Sequence, residues 1–138
     1  MSWRLKDTML IDSKIIAVDF DGTIVDDKYP KIGKPHPFAI QTLQMLQKDG
    51  HRLILWTVRR GKTLEEAVEF CRKQGIEFYA VNKNYEGEDE VGGKLNADIF
   101  IDDRNIGGLP QWGEIYHMIS GNNHFPKVEK KAWWKRLF

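Results

Sequence analysis

The chain has a single cysteine, Cys71, among its 138 residues. An internal disulfide is thereby excluded, and with it any fold braced by paired cysteines. It also lacks an excess of either charge, with 21 Lys and Arg against 20 Asp and Glu and a net charge of +1. Such a balance gives no global attraction to nucleic acid or to a membrane, while leaving local patches open. No stretch approaches the ~18 consecutive apolar residues of a membrane-spanning helix, and no basic start is followed by an apolar segment. With a lone thiol suited to reducing conditions, these absences lead to the expectation of a cytoplasmic protein.

What is present suffices for one real core. Hydrophobic residues make up 41% of the chain and charged residues 30%, the balance of an ordinary soluble domain. Residues 15–20 form a short apolar, β-branched run followed by Asp21-Gly22, which predicts a strand covered on both faces. Residues 24–37 hold three prolines, Gly33 and several charges and read as an exposed loop or small flap. Ala39, Leu43 and Leu46 then recur at helical spacing up to Gly50. A second buried strand is expected over residues 52–56. Thr63-Leu64-Glu65-Glu66 has capping-box spacing and predicts the start of a helix with Ala67, Val68 and Cys71 inward and Gly75 at its end. Further strands are expected over residues 78–81 and 99–101, and a last helix over 110–119. Strands alternating with helices imply a three-layer α/β, Rossmann-like domain on a mainly parallel sheet. We assign residues 1–126 to this single domain and residues 127–138 to a tail.

In such a sheet the ligand crevice lies beyond the carboxyl ends of the strands. The unusual polar residues all fall there. Asp19, Asp21 and Thr23 follow the first strand, and Thr57 with Val58-Arg59-Arg60-Gly61 follows the second. Asp102, Asp103, Arg104 and Asn105 follow the last. A phosphate ester repels nucleophiles, so a carboxylate attacks it well only when cations neutralise the charge, and a hard ion such as Mg²⁺ takes oxygen ligands. Asp19 and Asp103 would supply carboxylates from strand ends, with the Asp21 backbone carbonyl as a third oxygen. The Asp21 side chain is spaced to protonate a leaving oxygen and then activate water. Thr57 and the amides after it, beginning at Val58, can hydrogen-bond phosphate oxygens, and a lysine can neutralise what charge remains.

Here the sequence resembles a known family. Asp19-Phe20-Asp21-Gly22-Thr23 after an apolar strand is similar to the first motif of the haloacid dehalogenase superfamily, and Leu55-Trp56-Thr57 to its second. Ile99-Phe100-Ile101-Asp102-Asp103 resembles the fourth, and Lys94 is the best candidate for the third, a lysine preceding it. The resemblance runs from residue 15 to about residue 105, in the family's order. It implies an aspartyl-phosphate on Asp19, Asp21 as general acid and base, and Thr57 and Lys94 on the transferred phosphoryl group. Mg²⁺ would sit on Asp103, with Asp102 sharing that role or standing behind it. An aspartate at position 21 marks phosphatases and phosphotransferases within the superfamily. Residues 24–37 and 58–93 leave no room for an inserted cap, so the chain resembles the capless subtype. Such enzymes accept large or macromolecular substrates, or borrow a neighbouring subunit as lid. The Ile101-Asp102-Asp103-Arg104 run also resembles phosphatase domains acting on nucleic-acid 3′-phosphate ends and small sugar-phosphate members of the superfamily.

Plainer readings stand beside these. Thr57 alone reads as a satisfied strand-end hydroxyl, and Lys94 as a surface lysine, with Lys62, Lys73 and Lys83 also lying between the second and fourth motifs. Asp102 could hold Arg104 or a loop amide. Arg59 and Arg60 could bind a second anionic group or form a solvated loop end. Asp26, Asp27, Lys28, Lys31 and Lys34 read as a solvated flap, and residues 86–90 as a solvated acidic loop. His36, His51, His117 and His124 show no metal-ligand spacing. Cys71 reads as core. The tail mixes lysines with Trp133, Trp134, Leu137 and Phe138, which favours packing on its own domain or in a homo-oligomer over contact with an anionic membrane surface. Two other classes of function remain. A response-regulator phospho-switch is disfavoured, since its acceptor aspartate follows the third strand, where this chain has Asn82. A non-catalytic scaffold would need neither Asp21 nor Asp103.

Overall fold

Four short apolar runs lie side by side, every pair parallel. The computed structural model of the chain describes residues 13–88 and 95–121. The elements run β1 (Ile15–Val18), α1 (Ala39–Lys48), β2 (Arg52–Leu55), α2 (Gly61–Lys73), β3 (Ala80–Val81), β4 (Ile99–Ile101) and α3 (Trp112–Ser120). Their order across the sheet is β3-β2-β1-β4. Parallel neighbours need a crossover, and α1 and α2 provide it for the first two connections. The chain then returns past β2 and β1 to place β4 on the other side of β1. The order therefore reverses between β1 and β4, the point where a parallel sheet opens a crevice. This is the α/β, Rossmann-like arrangement that the alternating pattern predicts. Among the described residues no helix is long and apolar enough to cross a membrane.

Side chains alternate across the sheet. Ile16, Val18, Leu53, Leu55 and Ile101 face one side, where they pack with Ala39, Leu43 and Leu46 of α1, Ala67 and Cys71 of α2, and Trp112, Ile115 and Ile119 of α3. Ala17, Ile54 and Ala80 face the other side and form a smaller cluster with Leu95. The described helical cover thus lies on the first face, and Leu95 and Ala97 lie against the second. Side-chain amides tie the first layer together at its ends. Gln44 and Gln47 donate to the carbonyls of Gln74 and Gly75, and Gln47 accepts from the Glu77 amide at 2.8 Å. Those bonds satisfy backbone groups that the end of α2 leaves without helical partners. Burial pushes the Cys71 thiol up to about 12, the behaviour of a core residue.

Three local expectations are corrected. The third strand is the pair Ala80–Val81 rather than residues 78–81, although the Tyr79 amide still donates to Leu53. α2 begins at Gly61, two residues before Thr63, so Thr63 is no N-cap and its hydroxyl instead donates back to the Arg60 carbonyl at 2.8 Å. The flap is not wholly solvated: Ile24 and Val25 are fully buried. They sit in a turn in which the amides of Thr23, Ile24 and Val25 all point to the Phe20 carbonyl. The tail at 127–138, His124 and Lys94 lie outside the described residues.

Leu43 is fully buried between α1 and the sheet. Leu43→Ala is predicted to lower unfolding stability by about 2–5 kcal/mol, read by urea denaturation, because the removed side chain leaves a cavity that the surroundings only partly fill.

Candidate functional site

The register of the central pair decides where the carboxylates go. Val18 stands opposite Ile101, so the residues that leave both strand ends emerge together. The Asp19 amide still donates to the Ile101 carbonyl at 3.0 Å, extending the pairing by one step. Asp19, Asp102 and Asp103 then each offer a carboxylate oxygen, all within 4.8 Å of one another. Hard oxygen donors gathered this closely could hold a metal ion. Asp102 is thus part of the cluster, and it also caps its own turn by accepting from the Arg104 amide at 3.0 Å.

Thr23 organises the cluster from below. Its fully buried hydroxyl lies 3.2 Å from Asp19 Oδ2 and 3.2 Å from Asp103 Oδ1, and accepts from the Asp103 amide at 3.0 Å. Its carbonyl accepts from the Trp112 indole, which fastens this turn to α3. Gly22 makes the approach possible. Its φ is +86°, and a Cβ there would stand 2.5 Å from Asp103 Oδ2.

Thr57 follows β2 and is buried. Its amide donates to Asn82 Oδ1 at 2.8 Å, while its hydroxyl oxygen accepts from the Arg59 amide. Val58 is largely exposed, and its amide follows Thr57 at the cleft wall. Asn82 was singled out in the sequence only for not being an aspartate. It adopts the left-handed conformation at φ 56°, which asparagine tolerates, and thereby turns its amide toward Thr57.

Asp21 lies apart from the carboxylate cluster. Both its oxygens accept from Arg59, at 2.7 Å from Nε and 2.8 Å from Nη2. Neither earlier reading of Arg59 holds, because this guanidinium is fully buried rather than a solvated loop end or a free anion binder. The hydrogen-bonded Asp21 carboxylate holds the Arg59 guanidinium above its ordinary pKa. Arg60 stays exposed, with its guanidinium folded onto the carbonyls of Thr57 and Arg59. These groups border an open cleft of about 480 Å³. Asp19, Asp21, Thr57 and Asp102 lie along it, with Asp27 and Tyr29 from the flap on one wall and Trp56, Asn82 and Arg104 elsewhere. Lys62, Lys73 and Lys83 do not line it. Lys83 reaches Glu86 at 3.9 Å, and Glu88 accepts from the backbone and side chain of Asn84, while residues 89–90 of this run lie outside the described residues.

Burial, then the charge of Asp102 and the hydrogen bond with Asp103, push the Asp19 carboxyl from 3.8 up to about 7. The Phe20 amide and Thr23 hydroxyl pull the other way. The folded chain therefore keeps a proton that the unfolded chain releases near 3.8, so Asp19 subtracts stability as pH rises through this window. In EDTA, the wild-type Tm is predicted to fall relative to Asp19→Asn between about pH 4 and pH 7, and a divalent cation is predicted to reverse that fall. A wild-type Tm that gained on the variant over the same range would contradict it. Gly22→Ala is predicted to lower Tm and to abolish the cation-induced rise, both read by the same thermal melts.

No protein-family model matches the chain, and no curated protein matches it. Among solved structures it is similar to a conserved protein from Bacteroides thetaiotaomicron, with 59% identity and a TM-score of 0.75 over 78% of this chain and 90% of that one. At that identity and coverage, the chain belongs to the same family as this conserved Bacteroides protein.

Proposed function

We propose that the protein is a Mg²⁺-dependent phosphohydrolase of the haloacid dehalogenase type, which cleaves a phosphomonoester through an aspartyl-phosphate on Asp19. The observation that carries this reading is the convergence of Asp19, Asp102 and Asp103 at the sheet's switch point, with Asp19 and Asp102 lining one cleft together with Thr57 and Asp21. Three oxygen donors within 4.8 Å suit a hard divalent ion, and the Asp19 carboxyl is raised first by burial and then by repulsion from Asp102, both of which a cation would offset. Bound there by Asp19, Asp103 and Asp102, with the Asp21 carbonyl as a further oxygen, Mg²⁺ would neutralise phosphate charge and so lower the barrier to anionic attack.

In this mechanism Asp19 attacks phosphorus, and the bond from phosphorus to the ester oxygen breaks. Asp21 gives its proton to that departing oxygen. Thr57 and the Val58 amide hold the non-bridging oxygens as they flatten and move, and Lys94 is assigned the remaining charge on them. Water then attacks the phosphorus of the acyl phosphate, yields its proton to Asp21, and releases phosphate with Asp19 restored. The open cleft and short flap favour either a small phosphorylated molecule or an exposed phosphate on a larger one. A phospho-switch is the weaker reading, because the position after β3 is Asn82, whose side chain is already engaged by the Thr57 amide.

The test is turnover of a broad phosphomonoester panel with Mg²⁺, together with binding of a beryllium or aluminium fluoride that mimics phosphate. Asp19→Asn is predicted to reduce kcat by at least about a thousandfold with the fold intact by circular dichroism. Chelation is predicted to remove activity and added Mg²⁺ to restore it. Absence of both turnover and fluoride binding in the wild type would reject the proposal.

A further inference from the structure

The least expected side chain in the molecule is Arg59. It is fully buried and is the largest such side chain among the described residues. A guanidinium carries five N–H donors, and all five are engaged. Nε and Nη2 fork onto Asp21, Nη1 donates to the carbonyls of Pro30 and Thr63, and Nη2 also donates to the Lys31 carbonyl. Its flat faces lie against Phe20 and Tyr29, each ring centroid 5.1 Å from the guanidinium carbon. Four segments thus meet on one side chain: the loop after β1, the flap, the loop after β2 and the first turn of α2. No N–H donor is left over to bind a ligand, and the side chain does not line the cleft, so it has no direct contact with substrate.

We infer that Arg59 is a positioning residue that fixes the Asp21 carboxylate at the cleft and pins the flap as a permanent wall of it. The inference rests on the proposed role of Asp21 in proton transfer. The physical reason is geometric. A carboxylate on a two-bond side chain can rotate, and a forked pair of hydrogen bonds to a planar partner removes that freedom. The partner must itself be held, and the three backbone carbonyls and two rings do that. Two of those carbonyls, Pro30 and Lys31, belong to the flap that carries Asp27 and Tyr29 on the cleft wall. Positioning of the acid and closure of that wall are therefore one event. The flap needs no hinge to complete the site, since the side chain that orients Asp21 already holds it shut.

Two readouts separate this role from simple loss of packing. The first compares an aryl phosphate, whose leaving group departs without a proton, with an alkyl phosphate, whose leaving group needs one. Arg59→Lys keeps the charge but not the fork, and Arg59→Met keeps neither. Both are expected to reduce kcat/KM on the alkyl ester, which reports the steps up to loss of the leaving group, by about a hundredfold or more while changing kcat/KM on the aryl ester by less than about threefold. The later attack of water, for which Asp21 takes the proton, is common to both esters and lowers kcat on each. The second readout needs no activity. Trypsin should cut after Lys28 and Lys31 faster in Arg59→Lys than in wild type, under conditions where circular dichroism shows both folded. Equal losses of kcat/KM on the two esters, or unchanged cleavage in the folded Arg59→Lys protein, would overturn the inference. If the wild type hydrolyses neither ester, the phosphatase reading fails instead, and flap cleavage alone decides whether Arg59 pins this wall.

Discussion

The parallel pairing of β1 with β4 is the constraint on which the rest of the site depends. Opposing Val18 to Ile101 brings Asp19 and the Asp102-Asp103 pair out of the sheet at the same level. Like charges do not gather spontaneously, and three carboxylates within 4.8 Å repel one another. The sheet overrides that repulsion because the strands leading to it are apolar and buried, so their register cannot slip without moving those side chains out of the core. The raised Asp19 carboxyl records burial first and the charge of Asp102 second. Packing holds together an electrostatic arrangement that a bound cation could relieve.

Around this cluster the structure uses two buried polar side chains as anchors. Thr23 lies beneath the carboxylates, in contact with Asp19 and Asp103, and is tied through its carbonyl to Trp112 on α3. Arg59 lies beside them, holding Asp21 and the flap. Both are fully buried, and no described buried side-chain nitrogen or oxygen lacks a hydrogen-bond partner. Satisfaction matters more for Arg59, since a buried charge is tolerable only when it is paired and its donors are used. The cleft is thereby assembled on groups with little freedom to move. Its outer wall is different in character. Tyr29, Val58 and Arg60 are exposed there, which suits contact with whatever occupies the cleft.

Much of this was legible from residue order. The runs at 15–20, 52–56 and 99–101 are apolar and β-branched enough to announce strands, and the polar residues after each fall on one rim. Helix starts were less legible. Thr63 to Glu66 has the spacing of a capping box, yet α2 begins at Gly61, because Arg59 and its partners set where the chain turns. The flap was read as solvated from its prolines and charges, although Ile24 and Val25 pack into the core. Composition averages over a segment, whereas burial is decided one side chain at a time.

The amino-acid sequence by itself determined the fold class and the set of carboxylates near the strand ends, because hydrophobic periodicity and strand-end position are local properties. Tertiary structure alone decided how those groups are used. Asp102 joins the cluster while Asp21 turns away from it to Arg59. Asn82, from a third strand end, holds the Thr57 amide. Each of these pairings joins residues at least 25 positions apart, apart from neighbours on β4's own loop. The reason is physical: a hydrogen bond or a repulsion depends on a few ångströms of separation, and only the packed sheet sets those distances.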